Sequence, residues 1–260
     1  MQNNQFNNNP YGQQAQQPRD LFPSLWGNED DFHKAVSSCL ARVFMRMFAA
    51  LLVTAAVSFA IYLSPLASEW LMDNPLIIIV AAIAQLALVL ILAFRVMKMS
   101  PTAANVMFFI YAILTGVTLS FIFTAYVLET IFQAFAISAL MFGAMAIYGT
   151  ITKRDLTRIG TFLRMALIGL ILASLVNVVF YFLNSSVFDI MFTIINYAGV
   201  LIFVGLTAYD TQRIKNMLAE ANEANAEEAI KKISVLGALI LYLDFINIFL
   251  KVLAILGRRR

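Results

Sequence analysis

The sequence predicts an all-α polytopic membrane protein with seven transmembrane helices. Of its 260 residues 61% are hydrophobic and only 13% are charged, whereas a soluble domain is about half apolar and a quarter charged. The apolar residues are gathered in seven tracts, each near the roughly 20 residues that a helix needs to cross a bilayer. Turn residues separate the tracts, as at Ser64-Pro65 and Asn74-Pro75.

Most tracts are hydrophobic on every helical face, as lipid-exposed or bundle-buried helices are. In chain order, tracts 1 to 7 cover approximately 43–63, 75–94, 106–127, 131–151, 162–183, 187–210 and 233–256. Residues 31–260 are therefore expected to form one seven-helix transmembrane domain. The preceding residues differ, because the first 20 include 11 Asn or Gln and no apolar run. We expect residues 1–30 to be a disordered Asn/Gln-rich tail.

The basic residues predict the orientation. The turns near 95–105, 152–164 and 211–232 contain Lys and Arg, whereas those near 64–74, 126–130 and 184–190 contain neither. Basic turns stay in the cytoplasm, so we expect the amino terminus there too. Seven crossings would place Arg258-Arg259-Arg260 outside, against this rule. Either earlier spans fix the topology, which we favour, or tract 7 re-enters without crossing.

Small residues recur at four-residue spacing in three tracts, which predicts close helix packing. These pairs are Gly116/Ser120, Ala139/Gly143 and Gly169/Ala173.

Several functional classes are disfavoured by the residues present. One cysteine, Cys39, excludes an internal disulfide, and one histidine, His33, excludes a His-rich metal site. The net charge of +3 comes from short basic clusters between apolar tracts, which is typical of membrane topology and not of nucleic-acid binding. Motifs of metalloproteases, serine hydrolases and phosphate-binding loops are missing, so we expect no enzyme.

Two aspartates are the candidate site. Asp210 closes tract 6 and Asp244 lies near the middle of tract 7, where an ionisable side chain is costly. If the two tracts form a hairpin with its apex at residue 227, each aspartate lies 17 residues from it. That is roughly 25 Å along either helix, so the carboxylates would meet at one level. An intramembrane aspartyl protease also uses two aspartates, but only Tyr209-Asp210 matches its motifs.

The same helical faces carry further polar or small residues, as expected for a face turned into the bundle or a wet cavity. Thr207 and Asn196 share the face of Asp210, and Asn247 and Lys251 share that of Asp244. Two adjacent carboxylates cannot both ionise cheaply in a low dielectric, so they are expected to share a proton. Such a pair could form a proton-sensitive latch, or bind a hard cation such as calcium.

Other charges have two interpretations each. Asp210 could instead be a solvated helix-end charge beside Arg213. Arg95, which ends tract 2, could be a counter-ion of the latch or could extend to the lipid headgroups. Glu129 and Asp189 could form a cation mouth at the opposite face, although ordinary loop charges are the favoured interpretation.

Residues 208–212, Ala-Tyr-Asp-Thr-Gln, resemble the Bax inhibitor family, the transmembrane Bax-inhibitor-motif proteins. The similarity to bacterial members extends over about residues 30–260. It is carried also by the segments Phe142–Gly149, Thr152–Leu156, Leu167–Asn177 and Leu241–Asn247.

The resemblance implies a fold in which six helices wrap around a central last helix. It implies a pH-sensitive calcium leak in the bacterial inner membrane, with Asp210 and Asp244 at the positions of the latch. Some members tie the latch with a basic residue of the second helix, for which Arg95 is the candidate here. It also implies, for bacterial members, modulation of a membrane-bound AAA protease. The sequence therefore leaves two functions open: a cation conduit gated by the aspartates, or a non-conducting regulator that binds such a protease.

Overall fold

A computed structural model describes residues 29–183, 187–219 and 226–257. Nearly all of the predicted Asn/Gln-rich tail and the terminal arginines lie outside these residues. The described part is helical, which confirms the predicted fold class. Its nine helices are α1 (Glu29–Leu63), α2 (Pro65–Asp73), α3 (Pro75–Arg95), α4 (Pro101–Leu119), α5 (Phe121–Ala125), α6 (Leu128–Ile151), α7 (Thr157–Phe182), α8 (Val187–Ala219) and α9 (Ala226–Leu256).

Prolines mark the starts of α2, α3 and α4, where the missing N–H would have no helical partner. The hydroxyl of Ser64 accepts a hydrogen bond from the backbone N–H of Ala67, and that of Ser100 accepts one from Ala103. These caps and prolines explain why the turn residues seen in the sequence separate one span from the next.

Within the described residues, seven spans are long and apolar enough to cross a membrane. They are Val36–Leu63, Pro75–Lys98, Pro101–Ala125, Leu128–Ile151, Thr157–Phe182, Val187–Leu218 and Glu227–Leu256. The helices differ from the sequence prediction most clearly in α1, α2 and α8. Helix α1 begins 14 residues before tract 1, α2 occupies most of the predicted turn at 64–74, and α8 continues nine residues past Asp210. The added turns of α8 bury Ile214 and Leu218, so packing extends the helix beyond the apolar tract.

Helix α9 lies at the centre of the bundle. Half of its most apolar stretch is buried, compared with 11% in α3 and α7. Its main neighbours are α1, α4, α6 and α8, whereas α3 packs mainly on α4 and α7 mainly on α8. The outer helices expose large apolar side chains such as Phe94 and Phe162, which suits a lipid environment. The last helix is therefore central, with four helices as its principal neighbours.

Because successive spans run in opposite directions, the turns that carry basic residues all lie at one end of the bundle. We call this the basic end: the start of α1, the turn at 96–100, the turn at 152–156, the end of α8 and the start of α9. The other end carries the start of α2 and the turn before α6.

One of the three predicted small-residue contacts is confirmed. A Cβ on Gly116 would lie 2.7 Å from the Cβ of Val57, and the hydroxyl of Ser58 donates to the carbonyl of Gly116. In the other two pairs the glycine makes no close contact, because a Cβ on Gly143 or Gly169 would meet no heavy atom of the described residues within 4 Å. Their partners Ala139 and Ala173 do pack against the core. A four-residue spacing shows that two residues share one face of a helix, but not that this face contacts another helix.

Candidate functional site

The face of α8 from Asn196 to Asp210 packs against the face of α9 from Gly237 to Lys251, and we call this interface the α8–α9 seam. Its register follows from two contacts, in which Gly237 faces Ile214 and Gly199 faces Lys251. In this register, Asp244 faces α8 between Leu206 and Thr207. Asp210 thus lies about one helical turn, or about 5 Å, nearer to the basic end. The sequence-based apex at residue 227, which placed both carboxylates at one level, is shifted by about two residues.

Asp244 is buried at the centre of the bundle, with 5% of its surface exposed. Its Oδ2 atom has no hydrogen-bond partner among the described residues. The charge that acts on it across the seam is that of Asp210. A buried carboxylate that faces another acid, with no cationic partner among the described residues, is costly to ionise.

Asp210 is buried to a similar extent but has basic neighbours. The guanidinium of Arg213 lies 3.8 Å from its Oδ1 atom, one turn along α8. Arg164 of α7 also acts on it electrostatically. The guanidinium of Arg164 lies 4.7 Å from the centre of the Tyr209 ring and donates a hydrogen bond to the Tyr209 hydroxyl. We call Asp210 and Asp244 the aspartate pair; one member faces basic groups and the other does not.

The structure brings the other polar residues of the predicted faces into the same seam. Thr207 is fully buried, and its hydroxyl donates to the carbonyl of Phe203. The side-chain amides of Asn196 and Asn247 donate to carbonyls one turn earlier in their own helices. Thr207 lies beside Asp244, whereas Asn247 and Asn196 lie progressively further towards the opposite end.

The predicted counter-ion and mouth residues lie elsewhere. Arg95 is exposed at the end of α3, and the basic groups that act on Asp210 are Arg213 and Arg164 instead. Glu129 and Asp189 are both exposed at the opposite end, where Glu129 accepts a hydrogen bond from Gln133. The structure therefore unites Asp210, Asp244 and their seam residues but does not bring Arg95 to them.

Residues flanking Asp210 fix α8 against α6 and α7. The side chain of Gln212 donates to the carbonyl of Arg154 and accepts from the N–H of Leu156, at 2.8 and 2.9 Å. Two glycines permit close approach: a Cβ on Gly149 would lie 2.3 Å from the carbonyl oxygen of Ala208, and one on Gly160 would lie 2.2 Å from the Tyr209 ring. Ala208, Tyr209 and Gln212 therefore pack and hydrogen-bond the segment around Asp210 against α6, α7 and the turn between them.

The turn at 152–156 is stabilised by its own side chains as well. Asp155 accepts hydrogen bonds from the hydroxyl and the backbone N–H of Thr157, which lower its pKa from the ordinary value. This turn and α8 thus hold each other in place.

The other side of α9 is tied to α1 and α4. The hydroxyls of Tyr242 and Thr54 lie 2.7 Å apart, and Thr54 donates to the carbonyl of Ala112. Nearer the basic end, Arg46 donates to the hydroxyl of Ser234. The Nζ of Lys232 lies 3.0 Å from the carbonyl oxygen of Met97. Helix α9 is thus tied to α1 and α4, and α8 is tied to α6 and α7. The α8–α9 seam, which contains the two buried aspartates, lies between these two groups of helices.

Sequence reasoning missed Arg164 and the role of Gln212. Arg164 was visible only as a basic residue near a turn, because its approach to Tyr209 depends on how α7 packs on α8. Gln212 carried a signal, since it closes the pentapeptide that resembles the family. No group of three or more His, Cys, Asp or Glu side chains gathers within the described residues. Calcium prefers six to eight oxygen ligands, so two carboxylates would hold it only weakly.

Comparisons with known proteins show the family of the chain. The sequence model of the family described as "Inhibitor of apoptosis-promoting Bax1" matches residues 36–260. The chain is 46% identical over 221 residues to the inner membrane protein YbhL of Escherichia coli K12, covering 85% of this chain and 92% of YbhL. It is 38% identical over 221 residues to a protein of Borreliella burgdorferi, with the same two coverages. It is 42% identical over 188 residues to a membrane protein of Streptococcus pyogenes, covering 72% of this chain and 77% of that protein. The chain therefore belongs to the Bax inhibitor family.

Proposed function

We propose that the protein is a pH-sensitive cation leak of the bacterial inner membrane, with calcium as the permeating ion and the aspartate pair as its gate. The observation that carries the proposal is the carboxylate oxygen of Asp244 in the central helix α9, which has no hydrogen-bond partner among the described residues and faces the charge of Asp210. A structural core would satisfy such a group or replace it with an apolar one. A pH-sensitive gate, by contrast, requires a buried carboxyl group that can gain and lose a proton.

The proton balance of the pair supports gating at the seam. When both carboxylates are ionised they repel each other across α8 and α9, and when one is protonated it can donate a hydrogen bond to the other. The charges facing the pair are asymmetric: Arg213 and Arg164 act on Asp210, whereas among the described residues Asp210 is the charge that acts on Asp244. Protonation therefore changes the force between two helices that are anchored on their other sides.

The chemistry of the seam favours a hard cation. Carboxylate, hydroxyl and amide oxygens of Asp244, Thr207 and Asn247 lie along it, and calcium prefers oxygen ligands. A pair of carboxylates without a third acid suits transient binding, which a leak requires, better than tight storage.

The proposed orientation has the basic end in the cytoplasm. Its turns carry Lys153 and Arg154, whereas Glu129 and Asp189 are exposed at the opposite end. The name of YbhL, an inner membrane protein, supports the location. In a Cys39→Ala background, Glu129→Cys should react in intact spheroplasts with a membrane-impermeant maleimide. Arg158→Cys should react only after lysis; the reverse pattern would contradict this orientation.

The experiment that tests the function measures calcium uptake into liposomes containing purified protein at pH 6 and pH 8. Wild type should conduct at rates that differ between the two pH values, and Asp244→Asn should remove that difference. Asp73→Asn, an exposed aspartate of α2, is the matched control and should behave like wild type. Folded wild-type protein that conducts no more than empty liposomes at both pH values would refute the leak. A non-conducting regulator of a membrane-bound AAA protease would then be the leading function.

A further inference from the structure

A lysine lies in the same seam beyond the aspartate pair. Lys251 follows Asp244 by seven residues, which places it on the same face of α9 two turns nearer the opposite end, at about 10 Å. It belongs to the membrane span Glu227–Leu256 and is half-buried. An ionisable side chain within a membrane span almost always faces the interior of the bundle and not the lipid.

The lysine stem is laid across α8. The Cδ and Cε atoms of Lys251 lie 3.1 Å from the point where a Cβ on Gly199 would stand. Any side chain at position 199 would press on the stem, so the glycine provides the space in which the lysine crosses the seam. The side chain that carries the ammonium group thus lies at the interface between α8 and α9, the two helices that hold the aspartate pair.

No ion pair or hydrogen bond to a side chain of the described residues neutralises this charge. Among the described residues, Arg213, Lys231 and Lys232 form ion pairs, all nearer the basic end. The charge that acts on Asp244 comes from Asp210 and not from Lys251. The seam therefore contains two separate charged sites: the aspartate pair at its middle and Lys251 nearer the opposite end.

We propose that Lys251 determines the selectivity of the leak, because its ammonium group forms an electrostatic barrier to cations at the opposite end of the α8–α9 seam. This inference rests on the proposed leak and adds that ions pass along the α8–α9 seam. The barrier keeps the flux of divalent ions low, since an ion of charge two feels twice the repulsion of an ion of charge one at the same distance.

The test compares calcium and sodium fluxes into liposomes for wild type, Lys251→Met and Lys251→Arg. Removing the charge should raise sodium flux about threefold and calcium flux about tenfold. The electrostatic barrier is twice as high for calcium as for sodium, and the rate depends exponentially on barrier height, so the calcium increase is about the square of the sodium increase. Lys251→Arg keeps the charge and should behave like wild type. Lys215→Met, a half-buried lysine of α8 off the seam, is the matched control. Lys251→Gln provides a second neutral variant if the methionine variant does not fold.

Each outcome decides the proposal. Equal increases for both ions would indicate a wider path and not a lost barrier, and would overturn it. Unchanged fluxes would make Lys251 an interfacial anchor, and a Lys251→Arg variant resembling Lys251→Met would exclude a role for charge. In all these cases the pH response lost in Asp244→Asn still tests the leak separately. If wild type does not conduct, the leak and this inference fail together.

Discussion

At the residue scale, the bundle contrasts satisfied and unsatisfied buried polar groups. Gln212 uses both ends of its side-chain amide to hold the turn at 152–156, and Tyr242 shares a hydrogen bond with Thr54. Asp244, by contrast, keeps a carboxylate oxygen without a partner among the described residues. Satisfied groups hold the structure in one arrangement, whereas an unsatisfied acid responds to protons.

Gln212→Leu should loosen the turn that it holds. The leucine can neither donate to the Arg154 carbonyl nor accept from the Leu156 N–H, so each group loses a bond worth about 1 kcal/mol. We expect faster trypsin cleavage after Lys153 and Arg154 in the purified protein. Asn216→Leu, an exposed position one turn along α8, is the control and should leave cleavage unchanged. Equal cleavage in wild type and Gln212→Leu would show that the turn does not depend on this amide.

Some of the site could be predicted at this scale and some could not. Asp210 and Asp244 are conspicuous because ionisable residues in apolar tracts are rare. Arg164 and Gln212 are not, because polar residues near turns are common and their roles depend on the packing of α7 and the turn at 152–156 on α8. Arg95 was the only basic candidate that the sequence suggested, and it is exposed at the end of α3.

At the element scale, the position of the aspartate pair depends on how closely α8 can approach its neighbours. Gly149 of α6 and Gly160 of α7 both face the residues just before Asp210. Periodicity and turn residues were sufficient to predict the seven spans, but not the short helix α2, the early start of α1 or the register of α8 against α9. That register is set by side-chain contacts such as Gly237 with Ile214, and these shift the aspartates by about a turn relative to each other.

Gly149→Ala should destabilise the protein by about 1–3 kcal/mol, because its Cβ would lie 2.3 Å from the Ala208 carbonyl oxygen and backbone cannot move aside cheaply. Gly143→Ala in the same helix has open space and should be neutral or stabilising by up to about 1 kcal/mol. Thermal unfolding of both variants in detergent checks the difference. Similar Tm values for the two variants would contradict the close α6–α8 contact.

At the scale of the whole molecule, the fold gathers the buried carboxylates of the described residues, Asp210 and Asp244, in one interface. Helix α9 is central and tied to α1 and α4, and α8 is tied to α6 and α7. The outer helices α3 and α7 turn apolar surface outwards. The overall architecture could be predicted from composition and apolar tracts, since the bilayer fixes span length. The central position of α9 could not be derived from its hydropathy, and entered only through the family resemblance.

The central claim is that Asp210 and Asp244 act as one gating unit. Calcium flux between pH 5 and pH 9 should be measured in liposomes for wild type, Asp210→Asn, Asp244→Asn and the double variant. Because interacting carboxylates titrate together, each single change should remove the wild-type pH response and the double variant should add nothing further. A pH response that survives in both single variants, or that is lost in two independent and additive portions, would contradict the account.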